Sequence, residues 1–284
     1  MAIIVNTNMS ALKTQRNLNK ATNALNNALE RMSTGLKINR AADDAAGMYI
    51  ATNLATQISG SKVAQSNVET GNNVLSIVEG NLDVILDNLN RVRDLAVQAA
   101  NGVYGTDART AMADEVKARS AEITRIAAAA DFNGKKLLNG SITSALELQV
   151  GANADSAANR ISIDASVFAS VTGTALVGAD TAITTAFSTA ANAATFIGTI
   201  DTAISGINTR KTTIGAVQNR LSSAADSLVT TIENATAAKS TIMDADIAEE
   251  SAEFTKQQIL RQTSASLLVQ ANSMPSIALN LIAG

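Results

Sequence analysis

The sequence predicts a mainly α-helical protein, a long coiled-coil helical rod with one small β-hairpin and paired N- and C-terminal helices. Three observations predict it. Among 284 residues there are 53 Ala, a single Pro and only 2% aromatics, a composition that suits long helices better than a sandwich or barrel. Apolar residues recur in 3-4 alternation over stretches longer than an ordinary helix. The chain ends carry opposite charge, +5 over residues 1–40 and −3 over residues 243–284, which favours bringing them together.

At the N-terminus, Leu18, Leu25 and Met32 fall at steps of seven, with Ala21 and Ala28 between them. A helix is expected to continue through residue 36. Its many Asn residues, Asn17, Asn19, Asn23, Asn26 and Asn27, make it poor as an isolated unit, so the stripe needs a partner. Ahead of it, Met1-Ala2-Ile3-Ile4-Val5 is too short for a secretory leader and has no basic region before it. No run approaches the ~18 apolar residues of a membrane span. Export would therefore proceed without a cleaved signal peptide of the usual kind, and no membrane insertion is expected.

The next seam is Leu75, Val78, Leu82, Ile85, Leu89, Val92, Ala96 and Ala99, with Val68 in the same register. It corresponds to a rod of roughly 37 Å that ends at Asn101-Gly102. A second helix should start near Thr106 or Asp107, with Met112, Val116, Ile123 and Ile126 on one face. It stops before the turn Asp131-Phe132-Asn133-Gly134, and Asn139-Gly140 marks another turn. Alternation at Leu146, Leu148 and Val150, then at Ile161, Ile163 and Ala165, predicts a β-hairpin near 145–165 with a polar loop. Residues 166–195, rich in Ser, Thr, Ala and Gly, are expected to form a surface connection or a weak helix, open in principle to O-linked glycans.

The longest seam occupies thirteen positions from Ile200 to Ile242, ten of them apolar. Lys211, Gln218 and Lys239 interrupt it and would fix register at a cost in stability. Its helix would be roughly 60 Å long, too long to bury in a globule of this size. Finally Leu260, Leu267, Met274 and Leu281 fall at steps of seven, interleaved with Ser264, Ala271 and Ala278. Pro275 removes one helical hydrogen bond there and is expected to bend the helix. The implied division is a terminal coiled-coil domain, 1–42 plus 243–284, and a helical rod domain, 43–242.

Chemistry is scarce. Without Cys or His there is no disulfide framework, no Cys/His zinc site and no Ser-His-Asp or Cys-His nucleophile. A net charge of −3 and the lack of an aromatic-interleaved basic patch argue against nucleic acid. No cofactor, metal or catalytic residue is expected. Asp43-Asp44 and Glu249-Glu250 read as turn and helix-N-terminal charges rather than a metal site. A polymerising subunit and a coiled-coil adaptor or sensory protein both account for the stripes, whereas a carboxylate-only enzyme would need a pocket that Ala-rich rods rarely provide.

Several blocks then narrow the choice. Ile4-Val5-Asn6-Thr7-Asn8, Glu30-Arg31-Met32-Ser33-Thr34-Gly35-Leu36-Lys37-Ile38-Asn39, Asp43-Asp44-Ala45-Ala46-Gly47 and Arg91-Val92-Arg93-Asp94-Leu95-Ala96-Val97-Gln98 follow one another in order. Phe132-Asn133-Gly134, Gln149-Val150-Gly151-Ala152-Asn153, Gly215-Ala216-Val217-Gln218-Asn219-Arg220-Leu221, Asp244-Ala245-Asp246 and the ending from Gln258 through Asn272 to Pro275 complete the set. Together they cover about residues 1–165 and 200–284, and the chain resembles bacterial flagellin in a minimal form, without large outer domains. The resemblance implies that the chain ends pair in the inner tube of a secreted, extracellular flagellar filament and that the helical rod forms the next shell. It implies a helical homopolymer as the main partner, with the export apparatus, a flagellin chaperone, the filament cap and hook-junction proteins besides. Relatives at the hook–filament junction share the terminal helices, but the Asp43–Gly47 block favours the filament subunit.

Under this reading Leu18, Leu25, Met32, Leu260, Leu267, Met274 and Leu281 are the self-assembly residues. Burying a Leu or Met is worth roughly 1.5–3 kcal/mol against roughly 1–2 kcal/mol of backbone entropy per ordered residue, so ordering of the ends should need inter-subunit contacts. The resemblance also implies that Arg91, Leu95 and Glu115 are read by the vertebrate Toll-like flagellin receptor. The plainer alternative is that Arg91 and Leu95 serve packing between protofilaments.

Overall fold

The computed structural model describes residues 7–283, with side chains described except at 156, 157 and 275–283. The Met1–Val5 run and the assembly residue Leu281 therefore lie outside the described residues and side chains. Among the described residues no helix is long and apolar enough to cross a membrane. The chain divides into two compact units, one of residues 57–232 and one joining 1–56 to 233–284.

The first unit is built on α2 (Ala45–Ala100), α3 (Thr106–Ala129) and α7 (Ala190–Met243); α2 and α7 each contribute to both units. All eight seam residues from Leu75 to Ala99 are fully buried. Ile200, Ile207, Ile214 and Leu221, at every seventh position of α7, are fully buried too. The alternate α7 positions Ile204, Lys211, Gln218 and Ala225 are only half-buried. That geometry leaves room for polar side chains: Lys211 pairs with Asp83, and Gln218 Nε2 donates to Glu79 Oε2 at 3.2 Å. Met112, Val116, Ile123 and Ile126 of α3 are buried as one face.

The second helix of the chain starts 30 residues before Leu75. Its early turns hold only Gly47, Ala51, Ser61 and Ala64 as buried residues, so no apolar period marks them. Two short strands, β1 (Asp131–Phe132) and β2 (Lys135–Lys136), flank Asn133-Gly134. Both turn residues have positive φ, 50° and 77°, as a two-residue hairpin turn with right-handed twist requires. The larger hairpin pairs β3 (Leu146–Gln149) with β4 (Arg160–Ile163) antiparallel, Leu146 opposite Ile163 and Leu148 opposite Ile161. Its connection holds one helical turn, α4 (Ser156–Asn159). Alternation puts Ile161 and Ile163 into the core, while Arg160 Nη1 meets Glu147 Oε2 at 2.8 Å on the other face.

Of the two expectations for the Ser/Thr-rich stretch 166–195, the structure shows short helices packed on the core and not a surface connection. The stretch folds as a 3-10 turn η1 (Ala165–Phe168), α5 (Gly173–Leu176), α6 (Asp180–Ala186) and the first turns of α7. Val167, Phe168, Val171, Val177, Ile183 and Phe187 are buried in the same core, and Phe187 meets Phe196 edge-on at 5.7 Å between centroids. Those apolar residues follow no single period, because they are spread over η1, α5 and α6, and only Ile183 of α6 and Phe187 at its C-cap share a helix at i and i+4. No amphipathic signal could reveal it.

In the second unit, α1 (Met9–Thr34) lies antiparallel to α8 (Ile247–Ala283). Asn8 caps α1 by accepting from Ala11 N at 3.0 Å, and its Nδ2 donates to Ala271 O at 2.7 Å. At the other end Arg31 Nη1 meets Glu250 Oε1 at 3.1 Å. Gly35, at φ 71°, ends α1 with its N–H on Arg31 O, two residues sooner than the sequence suggests. The α8 helix continues through Pro275.

Candidate assembly interface

The connectors that hold the paired helices explain two of the sequence blocks. Lys37 N donates to Met243 O at 2.6 Å and Ala245 N to Gly35 O at 2.9 Å, so the segments after α1 and before α8 bridge backbone to backbone. Asp43 Oδ2 accepts from Asn39 N and Arg40 N at 3.1 and 2.9 Å, and these bonds hold its carboxyl below its ordinary pKa. Asp44 Oδ1 accepts from Ala46 N and Gly47 N, both at 3.0 Å, and caps α2. A Cβ on Gly47 would stand 2.5 Å from Asp44 Oδ2 and 2.7 Å from Ile38 Cδ1. Across the junction Asp246 Oδ1 accepts from Ala248 N at 2.8 Å and caps α8. Asp43 thus braces the turn before α2, Asp44 and Asp246 cap α2 and α8, and Glu249 and Glu250 lie in the first turn of α8. This is the turn and helix-N-terminal placement that the sequence predicts for both acidic pairs.

The α1–α8 contact itself is thin. Ala21, Leu25, Ala28 and Ala271 are the buried side chains among those described on the two helices. Phe254, Gln257, Arg261, Ser264 and Leu268 line the inward face of α8 half-buried. The predicted α8 stripe straddles this face: Ser264 and Ala271 point toward α1, whereas Leu260, Leu267 and Met274 remain 44%, 50% and 54% exposed. On α1 the predicted residues also divide. Leu25 is buried within the chain, Leu18 and Met32 are half-buried, and Met9, Leu12 and Leu29, which the stripe omitted, are exposed. A groove of about 500 Å³ runs between the helices, lined by Lys20, Ala21, Ala24, Leu260, Ser264 and Leu267 among others.

The predicted recognition residues are brought together only in part. Arg91 Nε and Nη2 meet Glu115 Oε1 and Oε2 at 2.9 and 3.2 Å, joining α2 to α3 at the surface. That bidentate pair raises the Arg91 pKa and lowers that of Glu115. Leu95 is 3% exposed and belongs to the core, so it presents no side chain to a partner.

Two family models match the chain: the bacterial flagellin N-terminal helical region over residues 5–143 and the bacterial flagellin C-terminal helical region over residues 197–282. The flagellar filament 31.3 kDa core protein of Treponema maltophilum is 36% identical over 290 residues, covering 99% of this chain and 100% of the relative. The chain belongs to the bacterial flagellin family. A flagellin of Halalkalibacterium halodurans is 37% identical over 281 residues, again covering 99% of this chain and 100% of the relative. Among solved structures, a putative flagellar hook-associated protein from Vibrio parahaemolyticus shares the fold, with a TM-score of 0.59 and 18% identity over 71% of this chain and all of its own. This flagellin is a structural subunit of the flagellar filament, a member of a structural rather than an enzymatic family.

Proposed function

We propose that filament growth is driven by the outward faces of α1 and α8, with Leu12 and Leu29 of one subunit and Leu260, Leu267 and Met274 of another burying one another. The observation that carries this is the imbalance at the paired termini. Among the described side chains, three Ala and one Leu are buried between helices of 26 and 37 residues, while nine large apolar ones stay exposed, Leu12, Leu29, Leu260, Leu267 and Met274 among them. At roughly 1–2 kcal/mol of backbone entropy per ordered residue, that intramolecular seam is weak, and burying each outer side chain adds roughly 1.5–3 kcal/mol. Leu18, Leu25 and Met32 then act mainly by holding α1 on α8.

A loosely held pair of terminal helices also suits a subunit that leaves the cell unfolded, without a cleaved signal peptide, for an extracellular filament. The export apparatus, a flagellin chaperone, the filament cap and hook-junction proteins are its expected partners on family grounds. Recognition by a vertebrate Toll-like flagellin receptor rests on the accessible Arg91–Glu115 pair, with Leu95 supporting it from within.

A truncation ending at residue 250 tests the assembly reading. Residues 57–232 keep their own core, so the shortened chain is expected to stay helical and form no filaments under conditions where the full chain does. Filaments from the truncation would overturn the reading.

A further inference from the structure

Charge in the paired-terminus unit is segregated along the helices. Residues 7–29 and 254–283 hold Lys13, Arg16, Lys20, Lys256 and Arg261 and no carboxylate. Residues 30–56 and 233–253 hold nine carboxylates against four cations. Because Asn8 lies on Ala271 and Arg31 on Glu250, the antiparallel pair has a cationic end, +5, and an anionic end, −5. Lys13, Arg16 and Lys20 are exposed at 3-4 spacing on α1, and among the described residues none of them forms an ion pair. The groove with Leu260 and Leu267 opens at this cationic end, with Lys20 in its lining. At the other end Glu249 and Glu253 recur at a spacing of four on one flank of α8, with Glu253 also paired to Lys256 at 2.9 Å.

We propose that the cationic groove of one subunit receives the outward face of the first turns of α8 from a second copy, so that charge fixes the head-to-tail polarity of growth. This rests on the assembly reading above. Packing two copies parallel and in register would set like charges against each other, which costs several kcal/mol in an interface. An antiparallel pair meets opposite charges but closes on itself, and a closed pair cannot grow. Head-to-tail contact also meets opposite charges, and it leaves a cationic groove and an anionic end free for the next subunits. Glu249 and Glu253, four residues apart on one flank of α8, then face Lys13, Arg16 and Lys20.

Charge reversal in the full-length chain tests this. One variant carries Lys13→Glu, Arg16→Glu and Lys20→Glu; the other carries Glu249→Lys and Glu253→Lys. Asp246 is left alone because it caps α8. Growth on sheared filament seeds at low salt is followed by light scattering and electron microscopy, with circular dichroism confirming native helicity. Each variant alone is expected to grow at least about tenfold more slowly than the native chain, and an equimolar mixture of the two to recover growth. Slow growth of the native chain at high salt is expected as well, since exposed charges are screened. Native-rate growth of the first variant alone would overturn the proposal, as would a mixture that stays monomeric or stops at discrete dimers while both variants remain helical. If the native chain itself failed to elongate seeds, the assembly reading would fall instead.

Discussion

Gly173 of α5 rests directly on the backbone of Ser120 in α3: a Cβ at 173 would stand 2.0 Å from the Ser120 carbonyl oxygen. Gly173 N also donates to Thr124 Oγ1 at 2.9 Å, and that hydroxyl donates in turn to Ser120 O at 3.0 Å. The contact pins the Ser/Thr-rich segment to the rod. Since the obstructing atom is backbone, Gly173→Ala is expected to destabilise residues 57–232 by about 1–3 kcal/mol, read as a lower urea midpoint. An unchanged midpoint would mean that α5 is not held on α3 as described.

The Arg91, Leu95 and Glu115 positions should separate by experiment. Leu95→Ala removes a core side chain and is expected to cost about 2–5 kcal/mol of stability, visible as a lower melting temperature whatever happens to receptor activation. Arg91→Ala is expected to leave melting nearly unchanged, because exposed pairs contribute little, and to reduce activation of receptor-bearing cells by monomer. Full activation by the Arg91 variant would remove the pair from the recognition surface.

Acid should weaken the rod. Arg91 lowers the pKa of Glu115, and Arg93, with its Nε 2.5 Å from Asp201 Oδ1, lowers that of Asp201. A carboxylate depressed in the folded state contributes stability that is fully present above its unfolded pKa and is lost as pH falls through the folded one. The ordinary values are 4.5 for Glu and 3.8 for Asp, so melting temperature is expected to be flat near neutrality and to fall below that range. Asp201→Asn should flatten the decline slightly, and a midpoint that rises on acidification would contradict the pairing.

Two polar residues at alternate, half-buried α7 positions, Lys211 and Gln218, are held by Asp83 and Glu79. Replacing Lys211 and Gln218 together by Leu is expected to raise the urea midpoint, as removing polar groups from a coiled-coil seam commonly does. A lower midpoint would show that the bonds to Asp83 and Glu79 are net stabilising.

How much of this was legible in the sequence depended on periodicity. The Leu75–Ala99 seam, the α3 face and the Leu146/Ile163 hairpin were readable because one face repeats at a fixed interval. The early turns of α2 were not, since Ala51 and Ala64 are small and far apart. Phe168 reaches the core from one short turn and Ile183 and Phe187 from another, so no window contained a sustained repeat. At the interface, steps of seven picked out Leu260, Leu267 and Met274 as a stripe but could not say which side of α8 meets α1. That choice is made by Ser264, Leu268 and Ala271, whose smaller or offset side chains allow close approach. Leu95 shows the converse limit: a motif position carried over from a family indicates importance, and burial decides whether the role is contact or support.

The central claim is that residues left outside the monomer build the filament. The most direct measurement is electron microscopy of seeded growth by the full chain carrying Leu260→Ser, Leu267→Ser and Met274→Ser, alongside the native chain. These side chains are about half exposed, so the variant monomer should keep native helicity and melting temperature. The expected result is a folded monomer that does not elongate seeds while the native chain forms long filaments. Filaments of normal length and rate from the variant would contradict the account.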